Sequence, residues 1–452
     1  MRPAVEAEKL GIPGVVITTT GFTKIARAVA RAEGMADVRI AEYPGAVGVH
    51  AEALVEKNVE DVLFGRIVEE LTRPVKAAAA GAAAAVRKGS EIVFEGSFEE
   101  INDYFRSHEW TDNLPVIPPT AEKVAAFLNH TSRDPDETIA VLAQANLRAT
   151  PRNIAANAVM AGCKPETMPL LIAAVEAITD NEYNLSNIGS TWGVLPFLLI
   201  GGPAIKAMGI ENGAHLISQG ENPAIGRAFG LIIKNIAGYK MGRNYMGTFG
   251  YPLNFTIAEN DDENPWEPYR VEHGFAKTDS TVTACGTVTW GWPPAIYGTP
   301  DKTAAQSALE FLALECTKKP CLARLAEIGS KGFRDMITLM IAPPVAKSLA
   351  AAGYSKQDIR NYVYEHARVP YHELEFLMKY GHSEAFTIPD AVSRGIYPEE
   401  YLKEKPDGMV RVIPNPDVIN IVVCGDPNRN RVMVLWGGYV NPVTRKMQFP
   451  AG

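Results

Sequence analysis

Apolar positions follow two alternating periods along residues 1–74. The β-branched run Gly14–Thr20 (GVVITTT) predicts a strand, Phe22–Arg31 a helix with Ala and Val on one face, and Val38–Tyr43 a second strand. Ala51–Leu71 follows as a long amphipathic helix with Leu54, Val55, Val59, Val62, Leu63, Ile67 and Leu71 inward. The result is a β-α-β-α fragment. Two parallel strands do not make a covered sheet by themselves. The pattern therefore predicts at least one more βα unit, supplied by the rest of the chain or by a separate small subunit.

The Ala-rich stretch Val75–Gly89 has the composition of a helical or semi-flexible linker. Beyond it the punctuation is strong. Ser97–Glu100 (SFEE) is a capping box, Thr120 caps a helix through Leu128, and Thr150–Cys163 reads as a buried helix with Pro at its first turn. Gly193–Gly202 predicts a buried strand. Glu221–Gly238 predicts a helix with Asn222 as cap, Pro223 behind it and Gly238 past its end. Residues 255–300 look strand-rich. Helices are expected from Lys302 to about Ala350 and from Ser355 to about Tyr380, and Val418–Gly438 reads as two strands around a polar turn. Leu195–Ile200 and Ile419–Val423 are the apolar runs expected at the centre of a sheet. The predicted fold class is α/β: a small, incomplete flavodoxin-like β-α-β-α domain (1–74), a linker (75–95) and a larger α/β (α+β) domain (96–452).

Composition narrows the function classes. A chain of 452 residues is expected to hold two or three domains. Net charge is −8, without a basic run or aromatic–basic interleaving, so neither nucleic acid nor an anionic membrane is an expected partner. No apolar run reaches membrane-spanning length, and the N-terminus lacks the apolar core of a signal peptide. Five cysteines, an odd and sparse set, point to a reducing compartment, with the cytoplasm as the expected setting.

The motifs GIPGVVITTTGF, EYPG and the long acidic helix resemble the UGSC family of (seleno)proteins, named for a Sec/Cys-Gly-Ser-Cys motif just upstream of the segment that begins here. EWTDNLPVIPPT, NIAANAVMAGCKPE, NPAIGRAFGLIIKNIAG, AENDDENPWEPYRVEHGF and the nearby STVT resemble the larger protein associated with that family. No U/C-G-S-C motif occurs in this sequence. The resemblance implies that the motif is lost or sits on a small partner subunit. It also implies thiol or selenol redox chemistry, such as reductive cleavage of a small molecule.

Ala258–Phe275 draws attention for its density of charge, with six carboxylates beside Arg270, His273 and Trp266. It lacks the glycine of a calcium loop. Glu259 and His273 are candidate ligands for a divalent metal. Glu259 or Glu267 would serve as a general acid if Trp and Pro desolvate the carboxyl; a rigid surface loop with solvated acids is the plain alternative. Arg227 lies on an otherwise apolar helix and needs a carboxylate, from Glu259, from a substrate or from a structural salt bridge. Gly238–Pro252, with Lys240, Arg243, Asn244 and Tyr245 between glycines, has the composition of an anion-binding concavity. It matches no nucleotide-cofactor fingerprint. Cys163 is either a catalytic thiol or a small packed residue. Cys316 and Cys321 have neither redox nor zinc spacing. His50 and Thr18–Thr20 fall at the carboxyl ends of the first two strands, where open α/β sheets bind ligands.

The expectation is thus an enzyme subunit, oligomeric, acting on a small anionic metabolite. Glu259, Glu267, His273 and Cys163 are the catalytic candidates. Arg227, Tyr245, Asn157, Trp110, Asp112, His50 and Thr19 are the substrate-binding candidates. A lyase or hydrolase using Glu259 and Glu267, with or without metal, and a non-catalytic scaffold are the alternatives.

Overall fold

A computed structural model describes residues 2–74, 91–317 and 336–450, except 33–34, 36, 46, 48–49, 143–146, 190–192, 251–252, 381–386, 394, 396, 398, 404–407, 414 and 438. Most of the Ala-rich linker, and Cys321, lie outside the described residues. The chain divides into two units, Met1–Glu91 with Met378–Thr387, and Ile92–Leu377 with Ile388–Gly452. The α/β class holds in both. Chain order alone did not reveal that Met378–Thr387 groups with the first unit.

In the first unit β1 (Val15–Thr19) and β2 (Arg39–Tyr43) pair in parallel, Val15 opposite Arg39. Successive side chains point to opposite faces. Val16 and Ile40 meet Val5 and Ala30 on one face, while Ala41 and Tyr43 meet Leu63 on the other. The helix from Glu52 to Thr72 carries a π-helical turn at Val59–Leu63. Leu54, Val59 and Leu71, expected inward, are exposed. Two strands spaced about 5 Å apart offer too narrow a floor for an apolar stripe that wide, and the π turn shifts the register. Glu8 and Arg39 form a buried ion pair, and Arg39 also donates to the Arg73 carbonyl, Nη2 at 2.8 Å.

The second unit holds a small hairpin, β3 (Ala140–Leu142) with β4 (Leu147–Ala149), and two larger sheets. In the first, β5 (Leu195–Gly201), β6 (Thr256–Ala258), β7 (Thr281–Thr287) and β13 (Val443–Lys446) run in the order β13-β7-β5-β6. In the second, β8 (Ile337–Ile341) lies between β11 (Ile419–Val423) and β12 (Val432–Trp436). A short pair, β9 (Arg368–Pro370) with β10 (Met409–Arg411), stands apart. The run at β5 is buried throughout and interior, as a strand covered on both faces should be. Its Leu198 and Ile200 face the helices Pro151–Ala161, Met168–Ile178 and Asn222–Asn235, while Leu195, Phe197 and Leu199 pack toward Met340, Val422 and Leu435 of the second sheet. Helices Ala304–Thr317, Pro343–Ala351 and Lys356–His366 pack with one another beyond that sheet.

Three expectations change. β8 replaces part of the helix expected to run to Ala350; a five-residue buried apolar run has no period that separates strand from helix. β11 and β12 are not a hairpin, because β8 pairs with both, parallel to β11 and antiparallel to β12. β11 is therefore an edge strand and β8 the central one. Asn222 does not cap its helix: its side chain accepts from the Glu211 N–H and donates to the Glu211 carbonyl, both at 2.8 Å.

Candidate active site

β8 and β11 end side by side, and an open cleft of about 390 Å³ lies at their carboxyl edge. That is the edge where open sheets bind ligands, and the volume suits a small molecule. β11 continues into Cys424, Gly425 and Asp426. Gly425 holds φ = 94°, a turn that a side chain would strain. Its N–H donates to the Asn212 carbonyl (2.9 Å), bringing the 211–220 loop against the strand end. The clamp between Asn222 and Glu211 ties the two ends of that loop together. His215 sits on it at φ = 55°, a conformation that non-glycine residues hold only where the surroundings enforce it. Asp426 accepts from the Asn428 N–H (2.8 Å), folding the turn that presents Arg429 and Arg431.

The cleft is apolar within, and its rim carries Arg429 and Arg431 together with the acid Asp426. Leu216, Trp290, Met340, Val432 and Met433 line it together with His215, Arg429 and Arg431. Arg429 donates to the Asn428 carbonyl and Arg431 to the Pro293 carbonyl (3.2 Å); neither forms an ion pair among the described residues. The helix after β8 begins with Pro343 and Pro344, which have no N–H to offer an anion. Charge recognition therefore rests on the guanidinium groups. Cys424 forms part of the wall, and burial pushes its thiol far above the ordinary cysteine range, with the Glu259 carboxylate adding to the shift.

Glu259 lies behind that wall. It follows β6, its N–H bonds the Ile200 carbonyl (2.9 Å), and the next N–H, of Asn260, bonds the Val423 carbonyl (2.8 Å), joining the two sheets. Glu259 is 1% exposed. Its carboxyl accepts from the Tyr269 N–H (2.9 Å) and the Asn264 side chain (3.1 Å). Desolvation is the largest influence and raises its pKa to about 7, against the pull of Lys356. It does not line the cleft.

The other charges of Ala258–Phe275 are matched, apart from the carboxylate of Glu267, whose side chain is exposed and not desolvated as a general acid would need. Buried Arg270 forks onto Asp261 at 2.9 and 2.6 Å. Glu263 pairs with Lys347, and Asp262 with Lys206. Glu272 takes Lys356 (2.6 Å) and Arg360 (3.1 Å), while Lys356 also donates to the Glu267 carbonyl. Trp266 bonds the Tyr354 carbonyl through its indole N–H (3.0 Å). His273 leans on the Tyr269 ring with Nδ1 2.8 Å from the Tyr269 carbonyl. The segment is a staple between β6 and the helices after β8. Among the described residues no group of His, Cys, Asp and Glu has a metal-ligating arrangement.

Arg227 is claimed by Asp112, Nε at 2.8 Å and Nη2 at 2.9 Å, not by Glu259. Asn235 donates to the Trp110 carbonyl (2.9 Å) and to Asn157 Oδ1 (2.8 Å), so Trp110, Asp112, Asn157 and Arg227 do gather on one face of the helix Asn222–Asn235. Tyr245 donates to the Val194 carbonyl (2.7 Å). Lys240 and Arg243 of the glycine-rich stretch both pair with Glu109. An anion there would have to displace that carboxylate. Cys163 is buried, and desolvation drives its thiol far above the ordinary range; a thiol so held is not a nucleophile.

In the first unit, His50 Nδ1 is 2.8 Å from the Tyr43 hydroxyl, which also accepts from Asn58 (3.1 Å). Thr20 and Thr23 bond Glu42, and the Thr23 hydroxyl holds that carboxyl below its usual range. The Thr19 carbonyl accepts from the Phe22 N–H. His50 and Thr19 are thus parts of the strand-end turns.

His215, Trp290, Arg429 and Arg431 were missed from sequence. The available signal was the turn DPNRNR, where two arginines stand with one acid, next to a glycine that ends an apolar run.

Residues 1–73 match the family model of the UGSC family. No curated protein and no solved structure matches the chain.

Proposed function

We propose that this chain, whose first 73 residues are a UGSC-family segment, is a subunit of an enzyme acting on a small anionic metabolite held in the cleft beyond β8 and β11. The carrying observation is the rim: Arg429 and Arg431 stand without ion pairs among the described residues over an apolar wall. A guanidinium fork binds carboxylate or phosphate in two parallel hydrogen bonds. His215, exposed at the same cleft, adds an imidazole whose ring nitrogens can donate or accept a hydrogen bond there.

Thiol or selenol redox chemistry, completed by a small partner subunit, is the reaction class favoured here. Cys163, Cys285, Cys316 and Cys424 are all buried, and burial holds Cys163, Cys316 and Cys424 protonated; on this reading the reactive group comes from another chain. Acid–base lysis or hydrolysis is the second reading. The neutral-range carboxyl of Glu259 favours it, while the separation of Glu259 from the cleft lining weighs against it.

The test is calorimetric titration of the whole purified protein with acetate, succinate, benzoate and inorganic phosphate. Saturable binding, lost in the Arg429→Ala/Arg431→Ala double variant, supports the reading. Binding unchanged in that variant overturns it. Native mass spectrometry then decides the partner: a co-purifying small chain bearing a reactive thiol or selenol supports the redox class, and an active homo-oligomer refutes it.

A further inference from the structure

We infer that the cleft selects a planar, conjugated carboxylate, whose ring stacks on Trp290 while Arg429 and Arg431 hold the carboxylate. This rests on the cleft being the anion site. Trp290 lines the cleft and is 50% exposed, an unusual state for so large an apolar ring, and its position is fixed from several sides. It meets the Phe255 ring edge to face at 5.4 Å and 83°, and Phe255 in turn stacks on Phe197 at 4.9 Å and 3°. The preceding residue, Thr289, accepts from the Trp436 N–H (3.2 Å) and gives its carbonyl to the Thr287 hydroxyl (2.7 Å). The following residue, Gly291, passes so close to β12 that a Cβ would stand 2.4 Å from the Val434 carbonyl oxygen. Only glycine allows that approach, and it locks the loop beside the strand.

The same loop reaches the arginines. The Ile296 N–H bonds the Asn430 carbonyl (2.9 Å), Ala295 bridges to Arg431, and Arg431 bonds the Pro293 carbonyl. One rigid strip therefore carries an aromatic wall and the rim arginines. Met340 and Met433 complete the apolar lining, and thioethers make favourable contacts with aromatic rings. A stacking face set in place before binding loses little conformational freedom on binding. A saturated ring of the same size offers no π face, so the wall discriminates planarity and not merely bulk.

The experiment compares benzoate with cyclohexanecarboxylate, equal in charge and close in size, on the full-length protein by calorimetry with tryptophan fluorescence as a second readout. Wild type is expected to bind benzoate about three- to tenfold more tightly. Trp290→Leu should erase that preference while leaving cyclohexanecarboxylate affinity within about threefold, and Trp290→Phe should retain it. Equal binding of both acids in wild type overturns the inference and leaves the anion site standing. Binding of both that is indifferent to Arg429→Ala/Arg431→Ala, or no binding of either, overturns the anion site and the inference with it. Circular dichroism of each variant separates loss of binding from loss of fold.

Discussion

The segment Ala258–Phe275 and the turn Cys424–Arg431 are both rich in charge, and they spend it differently. In the first, Asp261, Asp262, Glu263 and Glu272 each meet a cation, and Arg270, 1% exposed, is gripped by two carboxylate oxygens. In the second, two guanidinium groups project at a cleft with only backbone carbonyls as partners. Matched charge holds elements together. Unmatched charge at a concave edge is available to a ligand. Density of charge along a sequence does not separate the two cases, because the partners lie far away in the chain.

That contrast orders the expected effects of substitution. The largest belongs to the staple: Asp261→Ala leaves the buried guanidinium of Arg270 without its carboxylate and should cost about 3–5 kcal/mol, read by denaturant unfolding of the whole protein. A loss below about 1 kcal/mol would mean that the pair is not structural.

Next is Glu259. Its pKa rises from an ordinary carboxyl value of 4.5 to about 7 in the fold, so near pH 6 the folded chain holds a proton that the unfolded chain has released. The sign follows: this contribution is complete below pH 4.5 and is lost as pH rises through 7, roughly 3 kcal/mol in all. Glu259→Gln should flatten stability against pH between about 5 and 8. An unchanged slope would show that the carboxyl is ionised in the fold.

A smaller effect is expected from Ser355→Ala, about 1 kcal/mol, since the Ser355 hydroxyl accepts from the Asp358 N–H in a capping box that begins the Lys356 helix. Smallest in stability are Arg429→Ala and Arg431→Ala, within about 0.5 kcal/mol as exposed residues, yet each should weaken anion binding about tenfold or more. A rim arginine whose loss destabilises the fold as much as Asp261→Ala would erase the distinction between the two regions.

Much of the fold was legible because local chemistry agreed with it. Ser97 and Thr120 each cap the helix they were expected to cap, the helix expected from Thr150 opens with Pro151 in its first turn, and the unbroken apolar run at Leu195 became an interior strand. β8 was not legible: ITLMI reads equally as strand or buried helix, and its place between β11 and β12 is set by tertiary packing. Asn222 looked like a cap and instead ties down the loop bearing His215. For the site, the sequence drew attention to Glu259, and the fold does give it a shifted pKa. The sequence could not show that Lys347, Lys356 and Arg360 would neutralise its neighbours, nor that residues near 215, 290 and 430 would meet at one strand edge.

The most direct measurement is a calorimetric titration of small carboxylates into the wild-type protein and its Arg429→Ala/Arg431→Ala variant. Saturable binding by wild type, with affinity reduced at least about tenfold in a variant of unchanged thermal stability, is the predicted result. Equal binding by both proteins, or none by wild type, would contradict the assignment of the cleft.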